Sequence, residues 1–523
     1  MDALNATISR VSEATSERLP KNVSEWAVPA AAATAALIVG LNLVWANKDK
    51  DKSPPMVSSW IPWIGSQWAL DKDPDAFMRA AQLSKMRTPW RRFFQQKFPG
   101  GMFGAKTTGR VMYYVTDAAL INQVYKQPKS FAMSLVQMEW GKNCFSFSDA
   151  ALFGSPTLTT EIFPHMDRSM APVNMMGLVE SFEHCLQNAI KTFPVPQPGS
   201  SVSLQDFVLR LAHRATGAAY FGPTFDVESF WDDWQGFDDG VYKVALAYPV
   251  PLCPHFVKCR ERVIQRFLEY LDNPAHEPCE MIGEQERMAR DVAKLDRRDL
   301  GVLIMSSYWP LMANVPWGSL WLLILQLQRS EGLAPILAEL DAAGEAWSAT
   351  QPDPTISYLS NLTAFFQSQP QIPLFQSTIN EVLRFTSDSY SMRGVVPEEG
   401  AILGGYKLKQ NDTLIMSTRS VHFDEALFGR DAKEFKPKRW LDGLSEDAKG
   451  SFRPYGGGVS MCSGRHFASY HVKILLTTLL HTFRFEVDKV KSPGPSPVTI
   501  SSENRGFGLR RPQGELFVKV TRI

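Results

Sequence analysis

A glycine-rich segment that leads into a single cysteine constrains this chain more than any other feature. Residues 452–468 read F-R-P-Y-G-G-G-V-S-M-C-S-G-R-H-F-A, and the apolar stretch at residues 467–483 predicts a helix. Glycines let a backbone pass close to a flat object and leave amide N–H groups free to point at a sulfur. Cys462 also precedes the predicted helix N-terminus, where the dipole favours negative charge and lowers a thiol pKa. The pattern favours a backbone-cradled thiolate, and the alternative is a structural cysteine in a tight turn.

The other cysteines and the charge balance exclude several classes of protein. Six cysteines in 523 residues are too few for a disulfide framework, and no two of them stand as C-x-x-C. A zinc ribbon or a dithiol redox motif is therefore not expected. The 55 basic and 54 acidic residues give no electrostatic case for nucleic-acid binding. We expect five cysteines to be packing residues and Cys462 alone to carry chemistry.

A cradled thiolate is what an axial ligand of heme iron requires, and three further features carry a resemblance to the cytochrome P450 superfamily, in its membrane-anchored eukaryotic or fungal form. Glu381 and Arg384 form the family's E-x-x-R. F-K-P-K-R-W at residues 435–440 resembles the family's loop whose arginine, here Arg439, joins that pair in a buried structural network. The order and spacing of these segments and the cysteine loop match as well. The resemblance implies a mainly α fold with minor β.

The resemblance also implies a cofactor and the residues that hold it. The cofactor is heme b (iron protoporphyrin IX), with Cys462 as the axial ligand of the iron. Arg465 matches the family's C-x-G-R, and Gly458 belongs to the glycine run against the cofactor. Arg393 and His422 match positions that commonly meet heme propionates, although His422 has an alternative as a capping or surface histidine. Electrons would come from NADPH through NADPH-cytochrome P450 reductase, with cytochrome b5 as a further candidate donor.

Two positions near the cysteine and one expected residue pair elsewhere in the chain depart from the family pattern. Tyr455 stands where the family usually has phenylalanine, and Ser460 stands where a basic residue is common. A tryptophan–arginine pair expected between residues 155 and 170 is not visible. His165 and Arg168 are the nearest substitutes in the sequence.

The largest departure lies in the long helix expected above the heme. The family's acid and threonine, which deliver protons for dioxygen chemistry, are missing from A-N-V-P-W-G at residues 313–318. Pro316 removes an intrahelical hydrogen bond and predicts a kink. Asn314 with a nearby proline is similar to the sterol 7-alpha-hydroxylase and prostacyclin synthase branch.

That departure leaves two functions open. In the first, a monooxygenase hydroxylates a hydrophobic terpenoid, sterol or related secondary metabolite, and Asn314 with ordered water replaces the acid–alcohol pair. In the second, a heme-thiolate isomerase or lyase acts on a lipid peroxide or epoxide without external electrons. A non-catalytic membrane heme protein is a third and weaker hypothesis.

The N-terminal region predicts attachment to a membrane. Residues 26–46 carry no charge and have a tryptophan at each end. They span roughly 30 Å as a helix, which matches a bilayer core. We expect a luminal segment at 1–25, a single-pass anchor at 26–46, a basic and proline-rich hinge at 47–65 and a cytosolic heme domain at 66–523. This places the protein in the endoplasmic reticulum membrane, and sequons at Asn5 and Asn22 predict a glycoprotein.

Periodicity predicts several elements of the heme domain. Helices are expected at 176–193, 203–220 and 374–385, and strands at 111–116 and 413–417. The uncharged stretch 300–327 contains polar residues and prolines, so a buried core helix is favoured over a second membrane span. Residues 387–392 and 312–318 are expected beside the heme, and 225–256 above it as a mobile roof or an ordinary surface insertion.

Overall fold

The computed structural model describes residues 53–57, 64–82, 101–154, 156–197, 199–353 and 355–523. The predicted luminal segment, the anchor at 26–46 and the sequons at Asn5 and Asn22 lie outside these ranges. Of the predicted hinge at 47–65, only residues 53–57 and 64–65 fall within them.

Helices dominate the described residues. They are α1 (Gln67–Lys72), α2 (Pro74–Gln82), α3 (Ala118–Tyr125), α4 (Ser134–Trp140), α5 (Asp149–Phe153), α6 (Phe163–Ser169), α7 (Met176–Thr192), α8 (Leu204–Phe221), α9 (Trp231–Ala245), α10 (Pro254–Asp272), α11 (Glu280–Asp291), α12 (Arg297–Met312), α13 (Val315–Leu327), α14 (Ala334–Ser348), α15 (Leu362–Gln367), α16 (Pro373–Thr386), α17 (Thr418–His422), α18 (Glu425–Phe428), α19 (Glu446–Ser451) and α20 (Arg465–Thr482). Short π or 3-10 turns occur at Gly141–Phe145, Leu158–Ile162, Val227–Phe230, Val250–Leu252, Tyr358–Ser360 and Gly458–Ser460.

The strands are fewer and shorter. They are β1 (Met102–Thr107), β2 (Arg110–Val115), β3 (Phe131–Ala132), β4 (Val202–Ser203), β5 (Tyr390–Val395), β6 (Ala401–Leu403), β7 (Tyr406–Leu408), β8 (Thr413–Ser417), β9 (Phe483–Val487), β10 (Thr499–Ile500), β11 (Pro512–Gln513) and β12 (Phe517–Arg522). The largest described sheet has five strands in the order β1-β2-β8-β5-β3. Its β2–β8 pair is parallel, and the other three pairs are antiparallel.

The elements predicted from periodicity are confirmed, with small shifts at their ends. Helix α8 begins one residue later than predicted because the Ser203 side chain caps it by accepting from the Asp206 N–H. Helices α7 and α16 cover the predicted stretches, and β8 matches at both ends. Capping and local hydrogen bonds, rather than hydropathy, set the terminal residues.

The long uncharged stretch forms the centre of the core. By length and composition Arg297–Leu327 is able to cross a membrane, but 72% of its most apolar window is buried inside the protein. This supports the core-helix prediction. The stretch is interrupted between α12 and α13, immediately before Pro316, so the predicted kink is confirmed. Helices α8 and α20 pack against α13.

Candidate functional site

The predicted thiolate lies in a turn between the loop Gly458–Ser460 and the first residue of α20. The Cys462 N–H donates to the Tyr455 carbonyl at 3.0 Å, and Arg465 Nη1 donates to the Cys462 carbonyl at 3.0 Å. These hydrogen bonds connect the turn to the preceding loop at Tyr455 and to the first residue of α20, Arg465. Cys462 itself is an exposed residue.

The electrostatics of Cys462 differ from the sequence prediction. Burial by surrounding protein raises the pKa of the thiol, while the N–H groups of Gly464 and Arg465 and the Arg465 charge oppose this rise. Asp167 on α6 adds a further upward shift of the pKa. The predicted lowering was therefore wrong in net direction for the protein alone, because desolvation outweighs the cradle. Cys462 is an exposed residue, yet the surrounding protein desolvates its thiol. A bound cation would be needed to hold it as a thiolate.

The glycine run packs against a tyrosine that the sequence analysis did not single out. A Cβ at Gly457 would lie 2.5 Å from the Tyr125 ring, which no side chain could tolerate without displacing the tyrosine. Gly458 has φ +68°, in the left-handed region, and a Cβ there would lie 3.1 Å from the Tyr125 Cβ. The glycines thus allow the loop to lie directly on α3.

Arg393 lies beside this loop with no anionic partner among the described residues. Its side chain is 4% exposed. Nη1 donates to the Met392 carbonyl at 2.7 Å and to Ser391 Oγ at 3.2 Å, and Nη2 donates to the Gly457 carbonyl at 3.3 Å. Burial lowers the pKa of the guanidinium. A buried cation that meets only neutral acceptors is costly unless an anion compensates it.

Together these residues fit the cofactor that the resemblance implies. Cys462 offers a soft sulfur ligand at an open face, and the glycine loop lets a flat group approach. Arg393 offers a buried positive charge that meets no carboxylate among the described residues. A planar iron complex with carboxylate side groups satisfies all three demands.

His422 does not take the propionate-binding role that was expected of it. The ring is fully buried, with Nδ1 3.2 Å from the Arg384 carbonyl and Nε2 accepting from the Arg453 N–H at 3.0 Å. Desolvation and the nearby Arg384 charge lower the His422 pKa to about 3. Both ring nitrogens are engaged by backbone groups, so His422 is a neutral structural residue that links α16 to the start of the cysteine loop.

The three residues of the predicted structural network lie together in the core. Arg384 donates to both oxygens of Glu381, at 2.9 and 2.8 Å. Arg439 Nε donates to the same carboxylate at 2.9 Å and Nη1 donates to Asp431 at 2.8 Å. Glu381 also accepts from the Lys436 N–H at 3.0 Å. One carboxylate therefore joins α16 to the loop that precedes the cysteine segment.

Asn314 lies at the interruption between α12 and α13, which together form the helix expected above the heme (the distal helix). It is held by residues 508–511, called the C-terminal segment below. Its Oδ1 accepts from the Leu509 N–H at 3.0 Å. A Cβ at Gly508, which has φ +96°, would lie 1.9 Å from that oxygen, so only glycine permits the approach. The carbonyl end of the Asn314 amide is therefore occupied, and its nitrogen is the end left to donate toward a ligand or water.

The candidates for the missing tryptophan–arginine pair take other positions. His165 Nε2 is 3.3 Å from the Met281 carbonyl of α11, which turns the ring toward the neighbouring helix. The charge from this helix that acts on Cys462 belongs to Asp167, not to Arg168. No local sequence signal distinguishes Asp167 from its neighbours, because the distinction depends on how α6 packs.

A large cavity lies in another part of the protein, and the residues of the candidate cofactor site do not line it. A cavity of about 520 Å³ is lined by residues from α2, α13, α17 and the C-terminal segment, among them Asp75, Trp321, Arg419 and Arg510. Cys462 and Arg393 do not line it. We therefore assign the cofactor site from the chemistry of its side chains and not from cavity size.

Comparisons with known proteins cover both the site and the whole chain. A family model described as cytochrome P450 matches residues 363–516, which include the Glu381 network and the cysteine loop. Cytochrome P450 7A1 of Oryctolagus cuniculus is 23% identical over 501 residues, covering 89% of this chain and 93% of the relative. Residues 363–516 therefore form a cytochrome P450 domain, and the chain resembles cytochromes P450 over most of its length. A protein with this domain is an oxidoreductase of the monooxygenase family.

Two further comparisons support the branch and the fold of this P450. Cholesterol 7-alpha-monooxygenase of Cricetulus griseus is 22% identical over 532 residues, covering 93% of this chain and 98% of the relative. A solved cyanobacterial CYP120A1 with bound retinoic acid has a TM-score of 0.64 at 16% identity, covering 90% of this chain and 99% of that one. The P450 therefore resembles the 7A and 7B branch and has the mainly helical P450 fold.

Proposed function

We propose that this P450 is a heme-thiolate monooxygenase that hydroxylates a hydrophobic terpenoid, sterol or related secondary metabolite. It would use dioxygen and electrons from NADPH, supplied through NADPH-cytochrome P450 reductase with cytochrome b5 as a further candidate donor. The observation that carries the cofactor assignment is that Arg393 is buried, meets no carboxylate in the described part of the chain and bonds to the loop that leads to the exposed Cys462. The similarity to a cholesterol 7-alpha-monooxygenase supports the sterol-like substrate class.

The residues around Cys462 have separate roles in this proposal. Cys462 ligates the iron, and the N–H groups of Gly464 and Arg465 stabilise negative charge on its sulfur. Arg393 binds a propionate, and Gly458 lets the loop before Cys462 lie directly on Tyr125 of α3. Bound heme supplies the redox chemistry that activates dioxygen.

Aromatic side chains support an apolar ligand on the distal side. The Phe507 ring lies between Trp140 at 4.9 Å and Trp309 at 5.7 Å, measured between ring centroids. Phe145 lies 5.6 Å from Trp309. These residues come from α4, the following π turn, α12 and residues near the C-terminus, and all four are half-buried. A flat apolar molecule would bind such a wall by dispersion and apolar burial.

Asn314 is proposed to position water for proton delivery. Its Oδ1 is engaged by Leu509, so the Nδ2–H groups would donate to a water or to a substrate oxygen. An amide holds a proton donor in place without changing its own charge. Orientation of water, rather than acid strength, is therefore the contribution expected from this residue.

A second candidate is favoured by the missing acid and threonine at residues 313–318. An isomerase or lyase acting on a lipid peroxide or epoxide needs no delivered protons for dioxygen and no external electrons. The two candidates are separated by incubating a sterol and triterpenoid panel, and a panel of lipid hydroperoxides, with and without NADPH and reductase. Product only in the complete mixture supports the monooxygenase. Product from a peroxide without NADPH and reductase overturns it in favour of the isomerase.

Loss of the Arg393 charge should weaken heme retention. An Arg393→Met variant loses charge-assisted hydrogen bonds of about 1.5–3 kcal/mol. We expect heme to leave this variant roughly 10- to 100-fold faster, and Arg393→Lys to lie between it and wild type. Transfer of heme to excess apo-globin measures the rate. Arg110→Met is the matched control, because Arg110 is an exposed arginine of the same sheet paired with Glu139. Unchanged heme transfer from Arg393→Met would contradict the role.

The membrane arrangement is proposed from the sequence. Residues 26–46 would form one span in the endoplasmic reticulum membrane, with residues 1–25 luminal, 47–65 as a hinge and the heme domain at 66–523 cytosolic. The support is the uncharged 21-residue segment and its flanking tryptophans. The sequons at Asn5 and Asn22 would then be accessible to luminal glycosylation.

A further inference from the structure

Two adjacent arginines in the C-terminal segment extend toward different parts of the protein. Arg510 pairs with Asp388 and Asp75. The next guanidinium, that of Arg511, reaches the interruption between α12 and α13, where Nη1 donates to the Ala313 carbonyl at 2.9 Å. Carbonyls at a helix end lack intrahelical donors and need partners from outside the helix. Arg511 supplies one.

The same guanidinium has a second partner on helix α9, which lies within the predicted roof. Nη2 of Arg511 donates to Asp238 Oδ2 at 2.5 Å, and Trp309 Nε1 donates to Asp238 Oδ1 at 3.0 Å. The Arg511 guanidinium also stacks on the Trp317 ring at 3.9 Å. Asp238 and Arg511 are 5% and 8% exposed. Buried ions of this kind keep one geometry, because separation leaves each charge uncompensated.

The contacts of Arg511 require an arginine. A planar fork serves two acceptors in different directions while its face stacks on an aromatic ring, and a lysine ammonium does not. Pro316 has no N–H to donate to the Met312 carbonyl, so helical hydrogen bonding does not run unbroken from α12 into α13. The Leu509 N–H donates to Asn314 Oδ1, so the C-terminal segment holds the break at two adjacent residues.

We propose that Arg511 is a positioning residue that couples the roof helix α9 to the break in the distal helix. Asp238 orients the guanidinium, and the oriented guanidinium holds the Ala313 carbonyl. Displacement of α9 carries Asp238 away, frees Arg511 from Ala313 and loosens the helix at Asn314. Admission of a ligand beneath the roof and the placement of Asn314 are thereby linked. The inference rests on the proposed function only in taking the space beneath α9 as the place where the substrate binds.

Amide hydrogen exchange on the full heme-loaded chain tests this coupling, because exchange reports local opening directly. The Asp238→Asn substitution lies in α9, so it changes no residue of the interruption between α12 and α13. We expect it to accelerate exchange at least about tenfold both in α9 and in residues 312–318. Arg511→Lys should accelerate exchange in residues 312–318 by a similar factor. Heme content and the carbon-monoxide spectrum of the reduced protein show that each variant is folded.

Trp309→Phe is the matched control. It removes the other hydrogen bond to Asp238 and leaves the Arg511 pair intact, so exchange in residues 314–318 should stay at the wild-type rate. Acceleration confined to α9 in Asp238→Asn, or equal acceleration in Trp309→Phe, overturns the proposal. If Asp238→Asn does not load heme, Asp238→Glu shifts the carboxylate by one methylene and the same peptides are measured. Exchange coupling without NADPH-dependent turnover would count against the proposed function and not against this inference.

Discussion

Replacing Cys462 with alanine should abolish turnover and the thiolate-type carbon-monoxide spectrum of the reduced protein. The turn offers no second thiol, because the other five cysteines lie in other parts of the chain. An iron that loses its only thiolate also loses the electron donation that the family's chemistry depends on. We expect no product above background under conditions in which wild type turns over, and a reduced heme content. Absorbance of the reduced, carbon-monoxide-treated protein measures the loss of the thiolate-type spectrum.

Cys253→Ala is the matched control for this experiment. Cys253 is half-buried at the start of α10, where burial raises its thiol pKa. It has the same change of side chain without a place in the glycine turn, so its spectrum and turnover should equal those of wild type. A thiolate-type spectrum in Cys462→Ala would show that another residue ligates the iron and would remove the basis of the assignment.

Replacing Glu381 with glutamine should cost the largest free energy of unfolding of any single substitution considered. The carboxylate compensates two guanidinium groups, those of Arg384 and Arg439, and all three side chains are buried. Breaking a buried ion pair by removing one partner costs about 3–5 kcal/mol. That is a large fraction of the roughly 5–15 kcal/mol that holds a typical domain folded. We expect poor yield, low heme content and a transition shifted to lower urea concentration.

The surface pair Glu446–Lys449 is the control for the buried network. Both side chains are exposed at a separation of 2.8 Å, so Glu446→Gln should change the free energy of unfolding by only about 0–1 kcal/mol. If Glu381→Gln lost no more than Glu446→Gln, the buried network would not be holding α16 to the loop before Cys462.

Local patterns predicted elements and motifs well. The three-and-four spacing of apolar residues located α7, α8 and α16, because such spacing places one face of a helix in the core. Pro316 predicted the break in the distal helix, since a missing N–H is a property of the residue itself. The segment order around Glu381 and Cys462 was sufficient to indicate the superfamily.

Long-range electrostatics were not predictable in the same way. His422 matched a propionate position in sequence, yet two backbone groups occupy its ring. The thiol pKa of Cys462 was expected to be lowered, and desolvation raises it. Both errors have one cause, because burial and partners depend on which segments pack around a residue and not on its neighbours in the chain.

What the sequence determined by itself was the chemistry that the chain can offer: a single cysteine in a glycine turn, an acid and a base on one helix face, and a proline where the distal helix breaks. What only the tertiary structure decided was which charges meet. Within the residues that the structure describes, Arg393 meets no carboxylate, whereas Arg511 reaches Asp238 across 273 positions of sequence. The physical reason is that a buried ion is defined by its surroundings: the cost of its burial and the partner that offsets this cost both arise only when distant segments pack.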